Sequence, residues 1–88
     1  MLKEMKFSYW QRILIAMYKN TQIFYLITKI ARKTGINRAV VITYSKMLNE
    51  QGLVEKIQYK NRHTFKLTEK GILIASKLYI LQKEVNKQ

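Results

Sequence analysis

The chain has 88 residues, with 17 Lys and Arg against 5 Glu and no Asp, for a formal net charge of +12. It has no Cys and no Pro, and its one His is His63. This excludes a disulfide scaffold, a thiol nucleophile and a cysteine zinc site, and it argues against a metal cage or a two-carboxylate active site. An apolar fraction of 48% is too high for a disordered basic tail, so the charge is carried by one small folded domain. Such a charge calls for a polyanionic partner, either nucleic acid or an anionic membrane surface. The longest apolar run, Ile13 to Tyr18, is far short of the roughly 20 residues of a spanning helix. No targeting segment is recognised at the start, which reads as an intracellular, cytoplasmic protein.

The first helix is expected from Ser8 to about Lys19. Ser8 and Gln11 stand at capping-box spacing, and Trp10, Ile13, Leu14 and Met17 form one apolar stripe. Tyr9, Ile15, Ala16 and Tyr18 add apolar surface around the cylinder, so more than one face needs burial. Asn20 and Thr21 end the helix, and Gln22 to Tyr25 reads as a short edge strand. Ile27, Ile30 and Ala31 then define a short amphipathic helix stopped by Gly35. Asn37 caps a third helix, from Arg38 to about Gln51, whose inward stripe is Val41, Tyr44 and Leu48. Its outer face carries Arg38, Ile42, Thr43, Lys46 and Asn49. Gly52 stops it.

Leu53 to Tyr59 and His63 to Thr68 alternate as two strands of a hairpin around the basic turn Lys60-Asn61-Arg62. His63 is read as a strand-end residue, not a ligand. Thr68 caps a last helix running to about Asn86, with Glu69 in its first turn. Ile72, Ala75 and Tyr79 are expected to face the domain. Ile74, Leu78, Leu81 and Val85 recur at four, three and four residues, a seam pattern on a different face.

A short helix, a Gly turn and a longer helix make a helix-turn-helix. From Ile30-Ala31-Arg32-Lys33-Thr34-Gly35-Ile36-Asn37, Leu48-Asn49-Glu50-Gln51-Gly52-Leu53-Val54 and Phe65-Lys66-Leu67-Thr68-Glu69-Lys70-Gly71, the chain resembles winged helix-turn-helix regulators. The likeness is to MarR-like and small archaeal forms and covers roughly residues 8 to 85. It implies an α+β, mainly α fold: a three-helix core, a β-hairpin wing and a long C-terminal helix. Residues 1–88 then form a single domain, with 72–88 extending into a dimer interface.

The resemblance also implies a double-stranded DNA partner. Asn37, Arg38, Val40, Ile42, Thr43 and Lys46 would face the major groove, and Lys60, Asn61 and Arg62 the backbone. Arg38 suits guanine or phosphate, whereas Asn37 divides its side chain between DNA and its cap. Val40 and Ile42 depart from the polar residues usual there. Arg32, Lys33 and Lys66 add charge near the same face.

A homodimer is expected from surplus apolar area at Tyr9, Ile13, Ile74, Leu78, Leu81 and Val85. A small-molecule effector and a cofactor are not expected, and a metal sensor lacks its Cys and His ligands. The primary expectation is a nucleoid-associated, cytoplasmic transcriptional regulator. The alternatives are an architectural protein coating DNA without sequence preference and a protein–protein interaction module. No nucleophile–base pair or phosphate-binding Gly loop suggests an enzyme.

Overall fold

A computed structural model describes residues 7–19, 25–59 and 62–86. Its elements run α1 (Tyr9–Lys19), β1 (Tyr25–Leu26), α2 (Ile27–Thr34), α3 (Arg38–Glu50), β2 (Val54–Tyr59), β3 (Arg62–Leu67) and α4 (Glu69–Asn86). Among the described residues, four helices accompany a small antiparallel sheet ordered β1-β3-β2, which is an α+β, mainly helical fold.

Local chemistry sets the helix boundaries. At the start of α1, the Ser8 amide donates to Gln11 Oε1 (2.8 Å), so the capping box closes from its Gln side. Gly35 follows α2 at φ +73° and Gly52 follows α3 at φ +77°, the left-handed backbone that glycine adopts without a Cβ penalty. The Gly35 amide returns to the Ala31 carbonyl (2.8 Å), and the Leu53 amide returns to that of Leu48 (2.9 Å).

The hairpin pairs Val54 with Leu67 at its base and Tyr59 with Arg62 at its tip. On the other side of β3, Tyr25 pairs with Phe65. The short first strand expected at Gln22 to Tyr25 thus appears at Tyr25–Leu26; Gln22 to Phe24, with Asn20 and Thr21, lie outside the described residues. The core takes Ile13, Leu14 and Met17 from α1, Ile27 and Ile30 from α2, Val41 and Leu48 from α3, Val54 and Phe65 from the sheet, and Ala75 from α4.

Three sequence expectations change. Ile13, assigned to an outward face, is fully buried in the chain's own core. The inward stripe of α3 passes through Ser45, whose hydroxyl is buried and has no hydrogen-bond partner among the described residues; Tyr44 is half-buried beside it. The seam on α4 is turned around: Ile74 and Leu78 pack against the core and Val85 is half-buried. The outward apolar side chains are Ile72 (48% exposed), Leu73 (55%), Ile80 (59%) and Leu81 (43%).

The cause lies at Gly71. The first turn of α4 rests on the end of the α3–β2 turn, and a Cβ at Gly71 would overlap the Leu53 carbonyl. The face holding Gly71, Ala75 and Leu78 must therefore point inward, whatever apolar residues lie elsewhere on the helix. Gly71→Ala should cost about 2 kcal/mol of unfolding free energy through backbone displacement, read as a lower urea midpoint at unchanged slope.

Candidate nucleic-acid interface

The helix-turn-helix is held at each joint. Asn37 caps α3 by accepting from the Ala39 amide through Oδ1 (2.8 Å). In the turn, Thr34 Oγ1 donates to the Ile30 carbonyl (2.8 Å) and accepts from the Ile36 amide (3.2 Å). Arg12, on α1, donates a guanidinium N–H to the Thr34 carbonyl (2.6 Å). At the other end of α3, the Lys70 ammonium donates to the Gln51 carbonyl (3.1 Å), where a cation complements the negative end of the helix dipole.

Arg38 and Lys46 are exposed on α3, and Arg32 and Lys33 are exposed on the last turn of α2. Thr43 is exposed, and its hydroxyl donates to the Ala39 carbonyl of its own helix (3.1 Å). Asn37 is exposed with its oxygen engaged by the cap; its amide N–H groups have no partner among the described residues. Arg38 stands in the first turn of α3, which has no acidic residue, so its charge adds to the positive end of the helix.

Val40 and Ile42 behave differently. Both are half-buried and pack against the core, which accounts for apolar residues at positions where polar ones were expected. Lys66 is paired across the strands with Glu55 (3.8 Å), so its charge is partly compensated and it contributes less to this face than the sequence suggests. Lys60 and Asn61 lie outside the described residues. Arg62 pairs with Tyr59 in the backbone ladder, and its side chain and that of His63 are not described.

The Arg12 contact has no signal in the sequence, because its partner lies 22 residues away and on another helix. It also missed the edge-to-face pair of Tyr9 and Tyr44 (5.8 Å between centroids). An open groove of about 410 Å³ lies between α1, the end of α3 and the start of α4, lined by Trp10, Met47, Leu48, Gln51, Leu53, Lys70 and Ile74. No group of three or more His, Cys, Asp or Glu is placed to hold a metal ion among the described residues, and none of their helices is long and apolar enough to cross a membrane.

Superposition places the chain among solved structures of one architecture. It matches ZitR of Lactococcus lactis with a TM-score of 0.72 and 26% identity, over 93% of this chain and 57% of ZitR. The fold is a winged helix. A MarR family transcriptional regulator from Silicibacter pomeroyi gives a TM-score of 0.73 at 19% identity, over 85% of this chain and 53% of its own. Sso10a-2, a DNA-binding protein from Sulfolobus solfataricus, gives 0.71 at 24% identity, over 84% and 78%. The chain thus spans little more than half the length of ZitR and of the MarR family protein. No protein-family model and no curated protein matches the sequence. In winged-helix terms, β2–β3 is the wing and α2–α3 the helix-turn-helix.

Because Asn37 is committed to the cap, Asn37→Ala should lower stability by about 1 kcal/mol, and Asn37→Asp should retain most of it. Thermal unfolding of both variants checks this.

Proposed function

We propose that this chain is a dimeric double-stranded DNA-binding protein that regulates transcription, with α3 entering the major groove and the wing resting on the phosphate backbone. One observation carries the reading. Every charged side chain from Lys6 to Lys46 is basic, and Arg32, Lys33, Arg38 and Lys46 within that stretch are exposed on the helix-turn-helix. The nearest following carboxylate, Glu50, stands at the far end of α3. A patch of one sign attracts phosphate and gains free energy from released counterions. The neighbours support the same reading, since one is a MarR family transcriptional regulator and another a DNA-binding protein.

Within this reading Arg38 and Thr43 are the groove contacts. Lys46, Lys60 and Arg62 serve the backbone, and Asn61 serves the wing's turn. Asn37 contributes its free amide N–H groups. Val40 and Ile42 support α3 from below more than they read bases. No reaction, cofactor or small-molecule effector enters the proposal, and the setting is the cytoplasm, at the nucleoid. The architectural alternative draws on apolar groups facing DNA, and the half-buried placement of Val40 and Ile42 weakens it.

Dimerisation follows from the apolar side chains left outside. Ile72, Leu73, Ile80 and Leu81 are exposed on α4, and Tyr9 is exposed on α1. An ordinary interface buries ~800 Å² per chain, and apolar area contributes about 25 cal/mol per Å² before the entropic cost of association is subtracted. Two helix-turn-helix units about 34 Å apart, or a multiple of that distance, then meet successive major grooves of an inverted repeat.

Ile80→Glu should convert the dimer to monomer at micromolar concentration, read by sedimentation equilibrium. In a duplex titration, log affinity should fall with log salt at a slope near −7 if about 8 phosphates are contacted by the dimer. Arg38→Ala should cost about 1–3 kcal/mol on the selected sequence and much less on random DNA, whereas Lys60→Ala should weaken both alike. Selection from a random DNA pool decides between readings: an enriched palindrome supports the regulator, and binding without enrichment supports the architectural protein. No binding at low salt leaves the protein-interaction module.

A further inference from the structure

Arg12 sits outside the helix-turn-helix yet, among the described residues, joins α1 to the backbone of the turn by a hydrogen bond. It is half-buried, and among the described residues it has no carboxylate partner. Its guanidinium lies against the Tyr9 ring (5.9 Å) and donates to the carbonyl of Thr34, the last residue of α2. That carbonyl is one of those a helix end leaves without an internal partner, and a cation is favoured there.

The contact leads on in two directions. Thr34 Oγ1 accepts from the Ile36 amide, and Asn37 then opens α3 with its cap. Tyr9, beside Arg12, meets Tyr44 of α3 edge to face. Arg12 therefore bears on both the turn before α3 and the flank of α3 itself. Among the described residues this half-buried cation is held by a carbonyl and an aromatic face, with a desolvation that a neutral side chain of the same shape would avoid.

We propose that Arg12 is the positioning residue of the DNA interface, fixing the turn from which Asn37 and Arg38 are presented while touching no DNA itself. This rests on the DNA-binding reading above. A fixed turn means that less conformational freedom is lost when α3 docks, so affinity is gained without a further contact.

The test compares Arg12→Met, which keeps length and packing but removes the donors, with Arg12→Lys, which keeps the charge without the planar fork. In Arg12→Met, the Gly35 and Ile36 amides should exchange about tenfold faster, the scale of one lost charged hydrogen bond, while β2–β3 amides keep their protection. Duplex affinity should fall about tenfold in Arg12→Met and partly in Arg12→Lys, with the salt slope unchanged. In an Arg38→Ala background the further loss should be about twofold or less, because the two residues act as one unit. Unchanged turn exchange overturns the proposal. So does a salt slope shallower by about 1, which marks a direct phosphate contact, or a full additive loss on top of Arg38→Ala. Absence of duplex binding by the wild-type chain overturns the DNA reading itself, and it is distinguishable because the exchange measurement needs no DNA.

Discussion

The junction of α3, the wing and α4 is the constraint on which the rest of the structure depends. Four residues, Gly52, Leu53, Thr68 and Gly71, tie three elements at one point. The Leu53 amide reaches back to α3, and its carbonyl accepts from the Thr68 amide (3.1 Å). Thr68 Oγ1 donates to the Gly52 carbonyl (2.6 Å) and accepts from the Gly71 amide (3.0 Å). A single threonine thus closes the base of the hairpin and caps the helix that follows, and Gly71 allows α4 to approach the Leu53 backbone at that spot. Because the junction joins the wing directly to the end of α3, the two proposed DNA-contacting elements share one rigid base.

Much of this fold was legible in the sequence, and the reason is local. Asn37, Gly35 and Gly52 declare the ends of α3 because capping and left-handed backbone are properties of single residues and their near neighbours. The hairpin was legible for the same reason. The orientation of α4 was not, since apolar residues occur all round the helix and a seam at four-three-four spacing fits the core as well as it fits a partner. Gly71 and Ala75 held the decisive signal: small residues on one face, near the helix start, mark the side on which another backbone comes close. Ile13 was misassigned on the same logic, because α1 is apolar enough to supply the core from more than one direction.

Of the candidate site, charge was legible and its compensation was not. The absence of any carboxylate between Met5 and Asn49 is plain in the sequence, and the exposed Arg32, Lys33, Arg38 and Lys46 follow from it. Whether a cation is free is a question of neighbours across space. Lys66 is opposite Glu55 only because the hairpin register places it there, and Lys70 meets the end of α3 only because α4 returns to it. Val40 and Ile42 looked anomalous on a surface assigned to DNA and become ordinary once their half-burial against the core is seen.

These placements give α3 one mechanical character. Its first turn is fixed by the Asn37 cap and by the turn that Thr34 and Arg12 hold, and its last by Gly52 and by Lys70 on the Gln51 carbonyl. Between them Val41, Ser45 and Leu48 are buried. The Ser45 hydroxyl, without a partner among the described residues, is a cost within that packed side, since a buried donor loses its water without replacement. A rod clamped at both ends and along one side has little freedom left to lose, so under the proposed DNA-binding reading the free energy from Arg38 and its neighbouring cations would go to binding and not to ordering. The same rigidity carries a condition. In the proposed dimer, with α3 unable to adapt alone, the spacing of two copies on a duplex would be set by the contact between chains, and so by the outward face of α4 that holds Leu73 and Ile80.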